Sequence, residues 1–151
     1  MSKKFNIRVY GILRNDADQI LISDECRHGI EFTKFPGGGL EWGEGFVECL
    51  KREFREDLQV DIQVNDLFYA TDFFVPSAFN PNDQLISFYY NVSLIDKNQL
   101  NIAKINENSL NSKDEYETFR WIHPHEISAD TFTFPIDKLV GEILCKGYGD
   151  F

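Results

Sequence analysis

The stretch from Gly38 to Val60 reads GGLEWGEGFVECLKREFREDLQV, a glycine-rich segment followed directly by a run of acidic and apolar residues. Within it Glu53, Glu56 and Asp57 are spaced i, i+3 and i+4, so their side chains share one face of a helix. Like charges held this close repel each other, and carboxylate oxygens are the ligands that hard divalent cations prefer. The spacing favours a divalent-cation site, and a solvated acidic helix face is the ordinary alternative.

Further residues at fixed spacings surround these carboxylates. Together they form the set Gly38, Glu44, Arg52, Glu53, Phe54, Glu56, Asp57, Gln59 and Val60. This order resembles the signature box of the Nudix hydrolases, which cleave nucleoside diphosphates linked to another group. Two places depart from that box. Asp57 stands for a glutamate and keeps its charge, whereas Gln59 stands for the closing glycine, so we expect the helix exit to turn in another way.

The resemblance implies a fold, a cofactor and an activity. The fold is the Nudix α/β/α sandwich, with a mixed sheet between helices, in a single domain spanning residues 1–151. The cofactor is Mg²⁺ or Mn²⁺, bound by the three box carboxylates with the carbonyl of Gly38 as a further ligand. The activity is hydrolysis of a small nucleoside diphosphate derivative of the nucleotide sugar, ADP-ribose or nucleoside triphosphate class. The catalytic set is then Glu44, Arg52, Glu53, Glu56 and Asp57.

Within this set, Arg52 and Glu44 differ from the metal-binding residues. An arginine presents a planar fork that pairs with a carboxylate through two parallel hydrogen bonds. The resemblance implies that Arg52 pairs with Glu44 and fixes the glycine loop against the helix, without contacting the substrate. Two unrelated surface charges are the alternative.

The general base is less closely defined by the sequence. Hydrolysis needs a carboxylate near the attacking water, and Glu53 is one candidate. In some family members the base lies on a loop before a late strand, which here points to Asp114, Glu115 or Glu117. Ordinary surface charge is the alternative for each of these three. Glu115 and Glu117 are retained as candidate substrate-site residues.

Aromatic side chains offer a second kind of substrate contact. The candidates for a base-stacking surface are Trp42, Phe73, Phe74, Phe79, Tyr89, Tyr90 and Trp121. The chain has 14 phenylalanines, so we expect most aromatic rings to belong to the core. Phe79 is the exception that we retain for substrate binding, because the surrounding segment holds little else that is apolar.

Charge and cysteine content restrict the partners. The formal net charge of −10 opposes binding to nucleic-acid polymers, whose phosphates would be repelled. A divalent cation reconciles the acidic site with a diphosphate-bearing substrate. The three cysteines lack metal-type spacing and indicate reduced thiols in the cytoplasm. No apolar run is long enough to predict a membrane span, and a homodimer remains open.

Local patterns predict the elements. Alternating apolar residues and turn signals predict strands over 5–13, 19–23, 30–35, 85–95 and 117–122, and one long strand or a bent pair over 60–75. Helical spacing predicts helices over 44–58 and 134–146, with a short helix start over 124–128. The remaining long segments, 76–83 and 96–113, are polar and predict loops.

The main hypothesis is a divalent-cation-dependent hydrolase of the Nudix type. The alternative is a catalytically silent module of the same fold that binds a nucleotide as a sensor, for which the departures at Asp57 and Gln59 leave room. A structural protein with a decayed site is a third reading. The presence of all three acidic positions argues against it.

Overall fold

The computed structural model of the chain describes residues 2–109 and 114–147. The described residues form seven strands, β1 (Lys4–Leu13), β2 (Ile20–Arg27), β3 (Ile30–Lys34), β4 (Gly37–Gly39), β5 (Ile62–Ala70), β6 (Asp83–Leu94) and β7 (Tyr116–Ile122). The helices are α1 (Phe46–Leu58), α2 (Ile102–Ser109) and α3 (Pro135–Lys146), with 3-10 turns at Lys97–Gln99 and Pro124–Glu126. No helix within the described part of the chain combines the length and apolar composition needed to cross a bilayer.

The strands are arranged in two sheets. A mixed four-stranded sheet has the order β4-β1-β6-β5, in which β1 and β6 are parallel and the other pairs are antiparallel. A three-stranded antiparallel sheet has the order β3-β2-β7. The register places Arg8 between Gly39 and Ser87 in the first sheet. In the second sheet it places Glu25 opposite Glu117.

Two hydrophobic cores lie on opposite faces of β1, because successive side chains of a strand point to opposite sides. Val9 belongs to the core that Leu50 and Phe54 of α1 complete. Tyr10 belongs to the core that Val140 of α3 completes. Each fully buried side chain of this size contributes about 1.5–3 kcal/mol to folding. The predicted α/β sandwich with a mixed sheet between helices is therefore confirmed.

β2 continues beyond the predicted strand over 19–23 and ends at Arg27. The alternating apolar pattern has ended before Glu25, yet Glu25 is only 1% exposed. The carboxylate is satisfied inside the sheet, since it lies 3.0 Å from Lys34 Nζ and accepts a 2.9 Å hydrogen bond from the Ser23 hydroxyl. Pairing of polar groups thus replaces apolar burial in this part of the strand.

β5 is shorter than the long strand or bent pair predicted over 60–75 and ends at Ala70. Immediately after it, the Thr71 hydroxyl donates to the Ser87 carbonyl and accepts from the Ser87 amide, at 3.0 and 2.9 Å. The amide of Thr71 also donates to the Ser87 carbonyl, at 3.0 Å, whereas the Ser87 amide bonds to a side chain where a continued strand would offer a backbone carbonyl. The remainder of the predicted strand is therefore a loop.

The prediction of a loop over 96–113 is wrong for its described part, which contains a 3-10 turn and α2. Ile102 and Ile105 lie one turn apart and pack against the core on the α1 side. Asn106 exchanges hydrogen bonds of 2.9 and 2.8 Å with the backbone of β7. The Ser109 hydroxyl also accepts a hydrogen bond from the amide of Glu117 at 2.7 Å. Apolar contacts and side-chain hydrogen bonds to β7 thus hold a helix that is otherwise polar. Residues 110–113 lie outside the described part.

The expectation that α1 ends without a glycine-like turn is also wrong. Gln59 takes the left-handed conformation, with φ 57° and ψ 38°, and its amide donates to the carbonyl of Arg55 at 3.1 Å. This is the conformation that glycine supplies at many helix ends. The helix therefore ends in the usual way, with a residue that is strained there.

Candidate active site

A cleft of about 700 Å³ is lined by residues of both sheets, of α1 and of the first turn of α3. Two groups of side chains dominate its lining. The first, which we call the acidic cluster, consists of Glu25, Glu53, Glu56, Asp57 and Glu117. The second, the aromatic cluster, consists of Phe32, Phe79 and Phe134.

The glycine run brings the backbone of β4 against α1. A Cβ atom on Gly38 would lie only 2.5 Å from Oε1 of Glu53, so no larger residue fits while that carboxylate stays in place. At Gly37, where φ is +142°, a Cβ atom would lie 2.1 Å from the carbonyl oxygen of Val9. The glycines therefore allow the predicted metal ligands Gly38 and Glu53 to lie side by side.

Arg52 connects the glycine loop to α1 through its guanidinium group. It pairs with Glu44 through two bonds, Nε to Oε2 at 3.0 Å and Nη2 to Oε1 at 2.7 Å. Nη2 also donates to the carbonyl of Gly39 at 3.1 Å. This ion pair holds the pKa of Glu44 down at about 2, with the hydrogen bonds from Arg52 as the main cause. The fork that the sequence suggested is thus present, and it bonds the loop to the helix.

The three box carboxylates do not share one environment. Asp57 lies well inside the cleft, and burial, followed by the neighbouring Glu53, raises its pKa to about 7. Glu53 accepts a hydrogen bond from Arg52 at 3.1 Å, and its side chain is 15% exposed. Glu56 is mostly exposed and also accepts from Arg52, at 3.3 Å. Glu53 and Asp57 are therefore the inner pair and Glu56 is the outer member.

Of the candidates near the late strand, only Glu117 lines the cleft within the described residues. It projects from β7 towards Asp57, and burial, then the charges of Asp57 and Glu25, raise its pKa to about 8. Glu115 does not line the cleft, and its carboxylate lies 3.9 Å from His28. Asp114 is exposed and also lies outside the lining.

Sequence reasoning missed the buried pair of Glu25 and Lys34. Lys34 Nζ lies 3.0 Å from Glu25 Oε2 and donates to the carbonyls of Phe35 and Gly37 at 3.1 and 3.2 Å. Burial opposes the charge on Glu25, but Lys34 holds its pKa below the usual value. The lysine thereby fixes the backbone directly before Gly38. In the sequence this pair is only a glutamate and a lysine on neighbouring strands, and that combination is too common to identify a buried ion pair.

Phe79 lines the cleft as part of the aromatic cluster. Its ring is 5.5 Å from that of Phe32 and 5.8 Å from that of Phe134, both in edge-to-face contact. It is 53% exposed, so one side of the ring stays accessible. Tyr89 is the other predicted aromatic candidate in the lining, whereas the exposed Trp42, Phe73 and Phe74 lie outside it.

The acidic cluster fits a hard divalent cation in its chemistry, because all of its donors are carboxylate oxygens. Burial is the main cause of the raised pKa values of Asp57 and Glu117, and the charge of neighbouring carboxylates, which a bound cation would offset, is the second. Within residues 2–109 and 114–147, no three acidic, histidine or cysteine side chains are grouped to hold a metal ion as they stand. Glu53 and Glu56 are both engaged by Arg52.

Comparisons with known proteins bear on the family and the fold. A family model described as the NUDIX domain matches residues 4–141. The MutT protein from Methanosarcina mazei Go1 superposes with a TM-score of 0.70 at 16% identity, over 99% of each chain. A NUDIX hydrolase from Nitrosomonas europaea gives 0.67 at 18% identity, over 94% of this chain and 89% of that one.

An ADP-ribose pyrophosphatase from Streptococcus suis 89-1591 gives a TM-score of 0.57 at 9% identity, over 97% of this chain and 94% of that one. A comparison with curated proteins gives no match. At these identities the structural similarities show the shared fold. The domain match covers most of the sequence, and the chain belongs to the Nudix hydrolase family. It is an enzyme of the Nudix pyrophosphohydrolase type, which acts on phosphoanhydride bonds.

Proposed function

We propose that this enzyme hydrolyses a nucleoside diphosphate linked to another group, and that it depends on a divalent cation. The observation that carries this proposal is the inner pair of carboxylates, Glu53 and Asp57, in a cleft beside Gly38. Burial, followed by the charge of Glu53, raises the pKa of Asp57 to about 7, so the pair concentrates negative charge in a place shielded from water. A site of this kind requires a cation before it accepts a diphosphate.

Four residues would hold the cation, namely Gly38, Glu53, Glu56 and Asp57. A divalent cation bound there neutralises the diphosphate and lowers the pKa of the attacking water. Mg²⁺ and Mn²⁺ both suit ligands that are all oxygen. The side chains of Glu53 and Asp57 already face the cleft, and that of Glu56 lies at its exposed side.

Arg52 and Glu44 would maintain the geometry of the site. The guanidinium group bonds at the same time to Glu44, to the carbonyl of Gly39 and to the carboxylate of Glu53. These bonds fix the distance between the glycine loop and α1. Arg52 is therefore proposed as a positioning residue, which agrees with its absence from the lining of the cleft among the described residues.

Glu117 is the proposed general base. It reaches the cleft from β7, opposite the carboxylates of α1, and it is close enough to Asp57 for the two charges to affect each other. A base must lie within hydrogen-bond reach of the water that it deprotonates. The raised pKa means that Glu117 holds a proton near neutral pH, and it would act as a base once a cation bound beside it had lowered that pKa. Glu53 is the second candidate.

The aromatic cluster supports a nucleoside in the substrate. Phe79 leaves part of its ring accessible beside Phe32 and Phe134, and such a surface stacks against another aromatic ring. The matched structures include a MutT protein and an ADP-ribose pyrophosphatase. Nucleoside triphosphates and ADP-ribose are therefore the first substrate classes to examine, with nucleotide sugars as the third.

A screen with Mg²⁺ and with Mn²⁺ for release of the nucleoside monophosphate from these three classes, followed by chromatography, tests the proposal. Glu53→Gln keeps the shape of the side chain but removes its charge, and we expect it to reduce turnover by at least about a hundredfold. Glu107→Gln is the matched control, because Glu107 is exposed on α2 and lies outside the cleft. Turnover that does not need a cation, or that Glu53→Gln leaves unchanged, contradicts the proposal. Nucleotide binding without any product favours a silent binding module.

A further inference from the structure

Arg8 lies in the floor of the cleft and has no assigned role in the chemistry described above. Asn6, Arg8 and Tyr10 alternate along β1 and all line the cleft. The strand neighbours of Arg8 are Gly39 on one side and Ser87 on the other, and both are small. A Cβ atom on Gly39 would lie 3.4 Å from Arg8 Nη1. The small neighbours thus leave the guanidinium group accessible from the cleft.

The guanidinium group of Arg8 is held in place by an uncharged partner. Nε donates to the hydroxyl of Tyr10 at 2.7 Å, and Cζ lies 5.7 Å from the centre of that ring. Tyr10 stacks on Tyr89 at 5.1 Å, and the Tyr89 hydroxyl donates to Asp137 at 2.5 Å. This chain of contacts orients Arg8 without occupying its two Nη atoms.

Arg8 differs in this respect from the other arginines of the chain. The other five, Arg14, Arg27, Arg52, Arg55 and Arg120, each lie within 4 Å of a carboxylate. Among the described residues, no carboxylate lies within that distance of Arg8. An arginine without a nearby carboxylate is exceptional in a chain with a net charge of −10. A guanidinium group in a partly buried cleft with no carboxylate within 4 Å is suited to bind an anion.

The other buried cation of the cleft is already engaged. Lys34 has three donors, and its three partners are Glu25 and the carbonyls of Phe35 and Gly37. Arg27 at the exposed side also pairs with Glu25. Among the described residues that line the cleft, Arg8 therefore carries the positive charge that remains available to a ligand. Its strand neighbour Gly39 adjoins Gly38, which lies against Glu53, so this charge is next to the proposed cation site.

We propose that the Nη atoms of Arg8 bind the phosphate group of the substrate that adjoins the phosphate under attack. The ligand class is a diphosphate, and the geometry is the bidentate contact that arginine makes with two phosphate oxygens. This inference rests on the proposed function for the identity of the substrate. It does not depend on which group is attached to the diphosphate.

Binding of inorganic pyrophosphate in the presence of Mg²⁺, measured by isothermal titration calorimetry, tests the inference without turnover. We expect Arg8→Gln to weaken this binding about 10- to 100-fold, because charge-assisted hydrogen bonds are lost. Arg8→Lys keeps the charge but not the fork and should recover part of the affinity. Tyr10→Phe releases the orientation of Arg8 and should cause a smaller loss than Arg8→Gln.

Arg55→Gln is the matched control, since Arg55 pairs with Asp61 on the exposed side of α1 and does not line the cleft. It should bind pyrophosphate as the unmodified protein does. Circular dichroism establishes that each variant is folded before it is titrated. Equal affinity in Arg8→Gln and the unmodified protein, or no binding by either, overturns the inference.

The two proposals can fail separately. If no substrate is hydrolysed but pyrophosphate binding still depends on Arg8, the anion site stands and the hydrolase proposal fails. If a substrate is hydrolysed and Arg8→Gln leaves both its KM and the pyrophosphate affinity unchanged, the hydrolase proposal stands and the anion site fails. For a hydrolysed substrate we expect Arg8→Gln to raise KM more than it lowers kcat, as loss of a binding contact does.

Discussion

Asp137, at the start of α3, is a carboxylate that is 3% exposed and accepts a hydrogen bond from Tyr89. Burial is the main cause that raises its pKa from 3.8 to about 6, and the nearby Glu25 acts in the same direction. Tyr89, Lys34 and Arg8 oppose that shift. The folded protein thus keeps a proton on this carboxyl group at a pH where the unfolded chain has released it.

This difference predicts how the free energy of unfolding changes with pH. Between about pH 4 and pH 6 the unfolded state binds fewer protons at this site than the folded state, so the contribution of Asp137 to stability falls as the pH rises. This pKa shift lowers the free energy of unfolding by on the order of 3 kcal/mol at pH values above the pKa of Asp137 in the folded state. Asp137→Asn keeps an acceptor for Tyr89 and removes this penalty. Denaturant unfolding should show the variant gaining stability relative to the unmodified protein from pH 4 to pH 7.

Asp130→Asn is the control for that experiment, because Asp130 is exposed and lies outside the cleft. Its difference from the unmodified protein should stay constant over the same pH range. A constant difference for Asp137→Asn as well would show that burial does not perturb this carboxyl group.

At the residue scale, the sequence predicted those parts of the site that follow one another along the chain. Glu44 and Arg52 lie eight positions apart, and their ion pair follows from the loop and helix between them. Arg8, Glu25 and Lys34 could not be found in this way. Their importance depends on strand register and on what lies beside them, which a single sequence does not specify.

At the scale of elements, the end of α1 stores strain at Gln59. An L-residue in the left-handed conformation costs about 1–2 kcal/mol, and glycine avoids this cost while losing some chain entropy. The side chain of Gln59 is exposed. We therefore predict that Gln59→Gly raises the free energy of unfolding by about 1 kcal/mol, measured by denaturant titration.

Gln59→Ala provides the comparison, since alanine also removes the side chain but retains the steric cost of a positive φ. It should be no more stable than the unmodified protein. If the glycine variant is no more stable than the alanine variant, the left-handed conformation at this position carries no significant strain.

Most strands, α1 and α3 were predictable in outline because each has a strong period of its own, whereas β4 consists of three glycines and has none. α2 was not, since only Ile102 and Ile105 mark its buried side among polar residues. Its helical state depends on Asn106, which bonds to β7. The extension of β2 through Glu25 was missed for a similar reason, because its stabilising partner Lys34 lies on another strand. Tertiary contacts decided both cases.

At the scale of the whole molecule, the fold brings together charges that are distant in the sequence. The three-stranded sheet and α1 place Glu25, Asp57 and Glu117 close enough to affect one another's ionisation. A protein with a net charge of −10 can maintain such a cluster only at a cost in stability, unless a cation neutralises it. The central claim is therefore that this cleft binds a divalent cation through the box carboxylates.

The binding isotherm of Mn²⁺, followed by electron paramagnetic resonance of the free ion, tests that claim most directly. It should be recorded for the unmodified protein, for Glu53→Gln and for the control Glu107→Gln. We predict saturable binding by the unmodified protein and the control, and binding weaker by about tenfold or more in Glu53→Gln. Equal binding by Glu53→Gln and the unmodified protein, or no saturable binding by the unmodified protein, would contradict the account.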